Sequence, residues 1–303
     1  MARLSRSTRE TIKTITFVVI VAILVLIYIV YPLNRIKAQM GRENVDQYNP
    51  KDTIRAANDP SAFVAPDLTV DTFRIETDGL TKVACVHITR TGNSATPRGL
   101  VIVIPNERKD RSTIAPLARM LADSGFSVLA YDQRASGLSS SKYHGDGQYE
   151  ATDLEAIIAY LDIRKQIIHP VIVVGYAAGA DAGMLAAQEE KRIDRVVAID
   201  PYLTSTRLLD QLKSQYGTFW FPFYRTIMWW WYNIRSSYAM NYRHTDDIKG
   251  VACRTIVMAD PDTLAGPEIS ALKERSGSEL LSVEPVSDSD SRLTEAVIAL
   301  ARP

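Results

Sequence analysis

Histidine and cysteine are the scarcest reactive residues of this chain, and the stretches they avoid are informative. The 303 residues hold four histidines and two cysteines. His87, His144, His169 and His244 are scattered over separate segments, and no histidine follows His244. Metal centres draw on His, Cys and carboxylates at short fixed spacings, so this scatter argues against a metal site. Cys85 and Cys253 fall in or beside strand-like runs, where a thiol packs as a small apolar group, and a disulfide between them is not indicated. An excess of one charge is missing too. Lys and Arg number 35 against 35 Asp and Glu, with no basic run, which removes the electrostatic basis for nucleic acid as a partner. No glycine-rich phosphate fingerprint follows the first strand-like run, and no cofactor is expected.

One long hydrophobic run is present. Ile15 to Val30 is apolar apart from Thr16 and Tyr28, and Tyr31, Pro32 and Leu33 extend it. This length predicts a transmembrane helix over residues 14–33 after an N-terminal tail of residues 1–13. A cleaved leader has a shorter apolar core and a small-residue cleavage site, whereas Tyr28, Tyr31 and Pro32 crowd this end. The expected product is a single-pass membrane protein with an N-terminal anchor and an extracytoplasmic domain. Flanking charge sets that orientation only weakly, since Arg3, Arg6, Arg9 and Lys13 are nearly matched by Arg35, Lys37, Arg42 and Lys51. Residues 34–67, with Gly41, Pro50, Pro60 and Pro66, read as a linker or a strap along the following domain.

From residue 68 to residue 303, strand-like and helix-like segments alternate, which predicts an α/β fold with a mostly parallel eight-stranded sheet and helices on both faces. The expected strands are Thr72 to Glu76, Val83 to Thr89, Leu100 to Ile104, Ser127 to Tyr131, Val171 to Val174, Arg195 to Ile199, Thr255 to Met258 and Glu279 to Val283. Helical patterns occupy Ser112 to Asp123, Glu150 to Arg164, Gly179 to Lys191, Leu203 to Tyr216, Pro267 to Ser276 and Ser291 to Ala301. The first two strands read as a hairpin.

Gly175, Tyr176, Ala177, Ala178 and Gly179 follow the apolar run Val171 to Val174 and open a helix of small residues. The pattern is that of a nucleophile elbow, Gly-x-Ser-x-Gly, with alanine at the nucleophile position. Tyr131-Asp132-Gln133-Arg134-Ala135-Ser136-Gly137-Leu138-Ser139 resembles the Tyr-Asp-x-Arg-Gly-x-Gly-x-Ser run after the fourth strand of the α/β-hydrolase superfamily, with Ala135 in place of a glycine. The segment from Phe219 to Trp230 and the turn Asp262-Thr263-Leu264 resemble the approach to the seventh strand and the acid-bearing turn of membrane-anchored, Bem46-like serine hydrolases. The resemblance covers nearly everything after residue 67 and implies the α/β-hydrolase fold.

The same resemblance implies a Ser, then Asp, then His triad in chain order. Asp262 fits the acid, but the serine position is Ala177, and the histidine position near Ser289 holds none. Where relatives carry His-Gly and small residues after the third strand, Pro105, Asn106, Glu107, Arg108 and Lys109 follow here. Proline removes a backbone donor that an oxyanion site needs. These departures predict a pseudohydrolase, not an enzyme, with Ala177, Asp262 and Ser289 as vestigial positions and Tyr176, Asn106 and Asp262 lining what remains of the pocket.

All four tryptophans crowd one stretch, where the fold inserts a cap over about residues 203–245. Trp220, Phe221 and Phe223 come first; Trp229, Trp230, Trp231 and Tyr232 follow. Consecutive tryptophans cannot share one helix face, so part of this set is expected to reach lipid, the substrate cleft or a protein partner. The expected function is that of a structural or accessory subunit of a membrane complex, with the bilayer and integral membrane proteins as partners. Two further readings stay open: a ligand sensor using the old pocket, and a serine-independent hydrolase using another constellation, such as Asp262 with Asp288 or a tyrosine.

Overall fold

The computed structural model describes residues 6–30, 34, 62–77, 81–91, 96–106, 109–141, 144–145, 147–203, 253–276 and 279–285. The chain divides into two units, one holding the N-terminal helix and the other all the strands. Helix α1, Arg6–Val25, passes into a π-helical turn, Leu26–Val30, and buries none of its residues. Its first turns carry Arg6, Arg9, Glu10 and Lys13, so the 20-residue helix is only partly apolar. Among the described residues no helix is long and apolar enough to cross a membrane. The expectation of a spanning helix over residues 14–33 is not met: its apolar run is shared between α1 and the π-helical turn, and residues 31–33 lie outside the described ones.

The second unit is built on an eight-stranded sheet. Its strands are β1 Leu68–Glu76, β2 Lys82–Arg90, β3 Leu100–Ile104, β4 Ser127–Tyr131, β5 Val171–Tyr176, β6 Arg195–Ile199, β7 Arg254–Ala259 and β8 Leu281–Pro285, in the order β1-β2-β4-β3-β5-β6-β7-β8. β1 and β2 form the expected hairpin, with Leu68 opposite Arg90, and β2 meets β4 antiparallel. The remaining pairings are parallel. The helices are α2 Ala115–Asp123, entered through a 3-10 turn at Arg111–Ile114, α3 Gln148–Ile163, α4 Ala178–Glu189, the short α5 Pro261–Leu264, and α6 Pro267–Ser276.

The inner strands are apolar on both faces, as crossover-covered parallel strands must be. Leu100, Ile102, Leu129, Val173 and Val196 point to the side covered by α3, α4 and α6. Val101, Val103, Val128, Val174 and Val197 point to the side covered by α2. Phe63 is only 2% exposed and belongs to this second cluster, so the packed body begins ahead of Leu68. Cys85 and Cys253 are free and buried on the first side. The predicted segments Leu203 to Tyr216 and Ser291 to Ala301 and nearly all of the cap, including Trp220, Phe221, Phe223, Trp229, Trp230, Trp231 and Tyr232, lie outside the described residues.

Candidate active site

In an open parallel sheet the binding crevice lies beyond the carboxyl ends of the strands, where the strand order reverses. Here the chain goes from β3 outward to β4 and then returns to β5 on the other side of β3. The reversal places the loop after β3, with Asn106, beside the turn after β5, with Ala177.

That turn is sharp. Ala177 has φ 51° and ψ −118°, a conformation L-residues rarely adopt, and α4 begins at the next residue. The two flanking glycines are steric requirements of this geometry. A Cβ on Gly175 would lie 2.2 Å from the Gly179 carbonyl oxygen, and one on Gly179 would lie 2.7 Å from Ile104 Cγ2 and 2.9 Å from the Pro105 oxygen. The Ala177 amide donates to the Ile199 carbonyl at 2.9 Å, which ties the turn to β6. In the first turn of α4 the Ala180 and Asp181 amides donate to the Ala177 carbonyl at 2.9 and 3.1 Å, so the amides that open the helix, the kind of group that receives a carbonyl oxygen or an anion, are those of Ala178 and Gly179.

A second loop, after β4, is pinned by buried polar contacts of its own. The Asp132 carboxylate is fully buried and accepts from the Arg111 amide at 2.6 Å, the Leu138 amide at 2.9 Å, and the Arg111 guanidinium. Burial pushes this carboxyl upward, while Arg111 and the amides pull it back. Gly137 has φ +45°, and a Cβ there would lie 2.4 Å from the Asp132 carboxyl carbon, so glycine is required. Arg134 bonds both Asp153 oxygens, at 2.9 and 2.7 Å, and lies 4.7 Å over the Tyr149 ring. Gln133 donates through Nε2 to the Pro105 carbonyl, anchoring the turn after β3. The Tyr-Asp-x-Arg run is thus a buried clamp that ties the turn after β3 to the 3-10 turn at Arg111 and to α3.

The other residues picked out by the sequence are placed as follows. Asn106 is half-buried after β3, and Glu107 and Arg108 lie outside the described residues. Tyr176 packs partly buried against the α2-side cluster. Asp262 is exposed on α5, whose cap is Asp260, accepting from the Thr263 amide at 3.0 Å. The expected acid-bearing turn is therefore a short capped helix at the carboxyl end of β7. Ser289 lies outside the described residues. No group of three or more His, Cys, Asp or Glu among the described residues could hold a metal ion.

Three histidines fall in the described residues. His87 Nε2 lies 2.7 Å from Ser127 Oγ, with both side chains buried, at the amino end of β4 and so at the far end of the sheet from Ala177. Burial lowers its proton affinity, and Asp71 across the hairpin opposes this. His169 pairs with Asp194 at 2.6 Å, just before β5. Only His144, buried after β4, lies at the carboxyl end.

Sequence reasoning missed Asp181 and Tyr202. Asp181, in the first turn of α4, accepts from the Leu203 amide at 3.3 Å, and Tyr202 packs with Ala177 and Ala178 in one buried cluster. The Asp-Pro-Tyr ending of β6 signals a turn, but nothing in it points back to α4.

The family described as serine aminopeptidase, S33 (Hydrolase_4), matches residues 95–253, more than half of the chain, including β3 to β6 and the elbow. The chain belongs to this hydrolase family. No curated protein matches the hydrolase in sequence. Among solved structures it is similar to an esterase of Pyrococcus furiosus, at 19% identity over 84% of this chain and 97% of that one, with a TM-score of 0.60. It is also similar to an α/β-hydrolase from Penicillium sp. sh18, at 12% identity over 77% and 98%, TM-score 0.54. A third is an N-formylmaleamic acid deformylase from Pseudomonas putida S16, at 16% identity over 77% and 100%, TM-score 0.51. At such identities these likenesses establish the fold.

Family membership overturns the expectation that the chain is not an enzyme. That expectation rested on Ala177 and on the lack of a histidine after Asp262. An alanine removes one route, the acyl-serine, but leaves the strained elbow and the clamped turn after β3 in place.

Proposed function

We propose that this hydrolase cleaves an acyl bond by direct attack of water, without an acyl-enzyme at the elbow. The carrying observation is that Ala177 keeps the strained elbow conformation, between glycines that admit no Cβ, although it has no oxygen to present. The substrate carbonyl oxygen sits at the amides that open α4, those of Ala178 and Gly179, since the next two already donate to the Ala177 carbonyl. Water adds to the carbonyl carbon, its proton passes to the Asp262 carboxylate, and the oxyanion is held by the amides. Collapse breaks the bond to the leaving alcohol or amine, which takes the proton back from Asp262.

A panel of nitrophenyl esters and aminoacyl anilides, given to the purified chain, tests this reading. Expected is turnover that resists a serine-directed phosphonate and falls about a hundredfold or more in Asp262→Ala, the range for losing a general base. Turnover unchanged in Asp262→Ala, or no turnover on any substrate, overturns it.

The same proposal includes attachment to a membrane through the N-terminal segment, with the catalytic unit outside the cytoplasm and integral membrane proteins beside it. Support comes from α1, where Phe17 is 68% and Ile15 58% exposed, an apolar surface of the kind that lipid covers. Fractionation of native membranes tests it: the chain should resist alkaline extraction and co-purify with membrane proteins in mild detergent.

A further inference from the structure

The loop that leaves β6 is folded back over the elbow. Asp200 has φ 46° and Leu203 φ 59°, and between them Pro201 and Tyr202 turn toward α4. Two hydrogen bonds fix the loop's ends: the Asp200 amide donates to the Met258 carbonyl at 2.8 Å, and the Leu203 amide donates to Asp181 Oδ1 at 3.3 Å. Asp181 is itself 2% exposed on the first turn of α4, so it holds the loop against the helix that carries the elbow. The Tyr202 ring then packs on Ala177 and Ala178, leaving those two residues 6% and 1% exposed and the tyrosine 9%. The nucleophile position is thus part of a small apolar contact of methyl groups and an aromatic ring.

From this we infer that Tyr202 is a specificity-determining residue, which restricts the elbow to small, unbranched carbonyl compounds by covering the side of Ala177. The inference deepens the proposed acyl hydrolysis and rests on that reading of the elbow. The physical argument is steric. A ring packed on Ala177 occupies volume beside the elbow that a branched or aromatic acyl group would need, and a narrow chain needs less of it. The tether from Asp181 keeps the ring from swinging aside, since moving it breaks a buried hydrogen bond.

Access to the elbow is measured by introducing a thiol there, in the full-length chain, as Ala177→Cys. Its modification is followed by peptide mass spectrometry with a small reagent, iodoacetamide, and a bulky one, fluorescein maleimide, each normalised to the rate in denaturant. Expected is a bulky-reagent rate suppressed about tenfold or more relative to the small one, the scale of steric discrimination in apolar pockets. Adding Tyr202→Ala should abolish that difference, and Tyr202→Leu, which keeps apolar cover, should leave part of it and serves where the alanine variant does not fold. In the native sequence, Tyr202→Ala should extend the accepted ester series toward longer and branched acyl groups by lowering KM more than it alters kcat. Equal rates for both reagents with Tyr202 present, or a size difference that survives both substitutions, overturns the inference. Size selection by Tyr202 in a protein that turns over no ester overturns the proposed hydrolysis alone.

Discussion

At Ala177 a single missing oxygen coexists with a backbone strained as if the oxygen were present. The strain is supported by glycines, which makes it testable. Gly175→Ala puts a Cβ 2.2 Å from the Gly179 oxygen, a backbone atom that cannot give way cheaply. The variant should lose at least about 1–3 kcal/mol, the usual range for overpacking, in urea denaturation. Ala135 offers the opposite case. It sits at φ 59° where the family run has glycine, so Ala135→Gly relieves left-handed strain and should stabilise by up to about 1 kcal/mol on the same curves. Asp132 is buried and bound to Arg111, and Asp132→Ala removes the buried carboxylate that this guanidinium pairs with. A loss of about 3–5 kcal/mol is expected, the range for breaking a buried pair from one side. Both glycines of the elbow and Asp132 were legible as a pattern. Their steric and electrostatic reasons were not, because each involves a residue met only after folding.

Among the elements, β3, β4 and β6 have the limits that their apolar runs predict, because strands buried on both faces announce themselves without regard to neighbours. β1 begins at Leu68, four residues ahead of its predicted start at Thr72, and its burial follows no alternation. Its length comes from the continuous ladder with β2, not from its own side chains. The short α5 was read as a turn, and its helical form depends on the Asp260 cap reaching Thr263. Where β2 joins the parallel sheet, the His87–Ser127 bond adds a buried polar clasp. His87 binds a proton less readily folded than at its ordinary 6.5, so the unfolded chain takes up the proton first. Stability is therefore full above about pH 6.5 and falls as the pH drops below it, by at most about 1.4 kcal/mol per pH unit from this group. Urea midpoints at pH 7.5 and 5.5 should differ less in His87→Gln than in the native chain.

For the whole molecule, the two units make separable predictions. Under the proposed membrane attachment, removing residues 1–30 should move the chain from the membrane pellet to the supernatant while leaving the far-ultraviolet spectrum of the α/β unit in place, as centrifugation and circular dichroism would report. Retention in the pellet would mean that another surface binds lipid, and the tryptophan-rich stretch would then be the first to mutate.

The sequence by itself determined an α/β layer with a mostly parallel sheet, the hairpin at its start and the elbow at Gly175 to Gly179, since all three follow from apolar runs and small residues close together in the chain, and the resemblance of residues 131–139 to a known run narrowed that layer to the α/β-hydrolase fold. Reading function from the same residues led to a non-catalytic protein, and the family match over residues 95–253 corrected it. The tertiary structure alone decided that His87 meets Ser127 far from the elbow, and that Tyr202 lies on Ala177. Those contacts join residues about 25 to 40 positions apart; the register of β2 on β4 brings the first pair together, and the packing of the loop after β6 at the carboxyl ends of the strands brings the second.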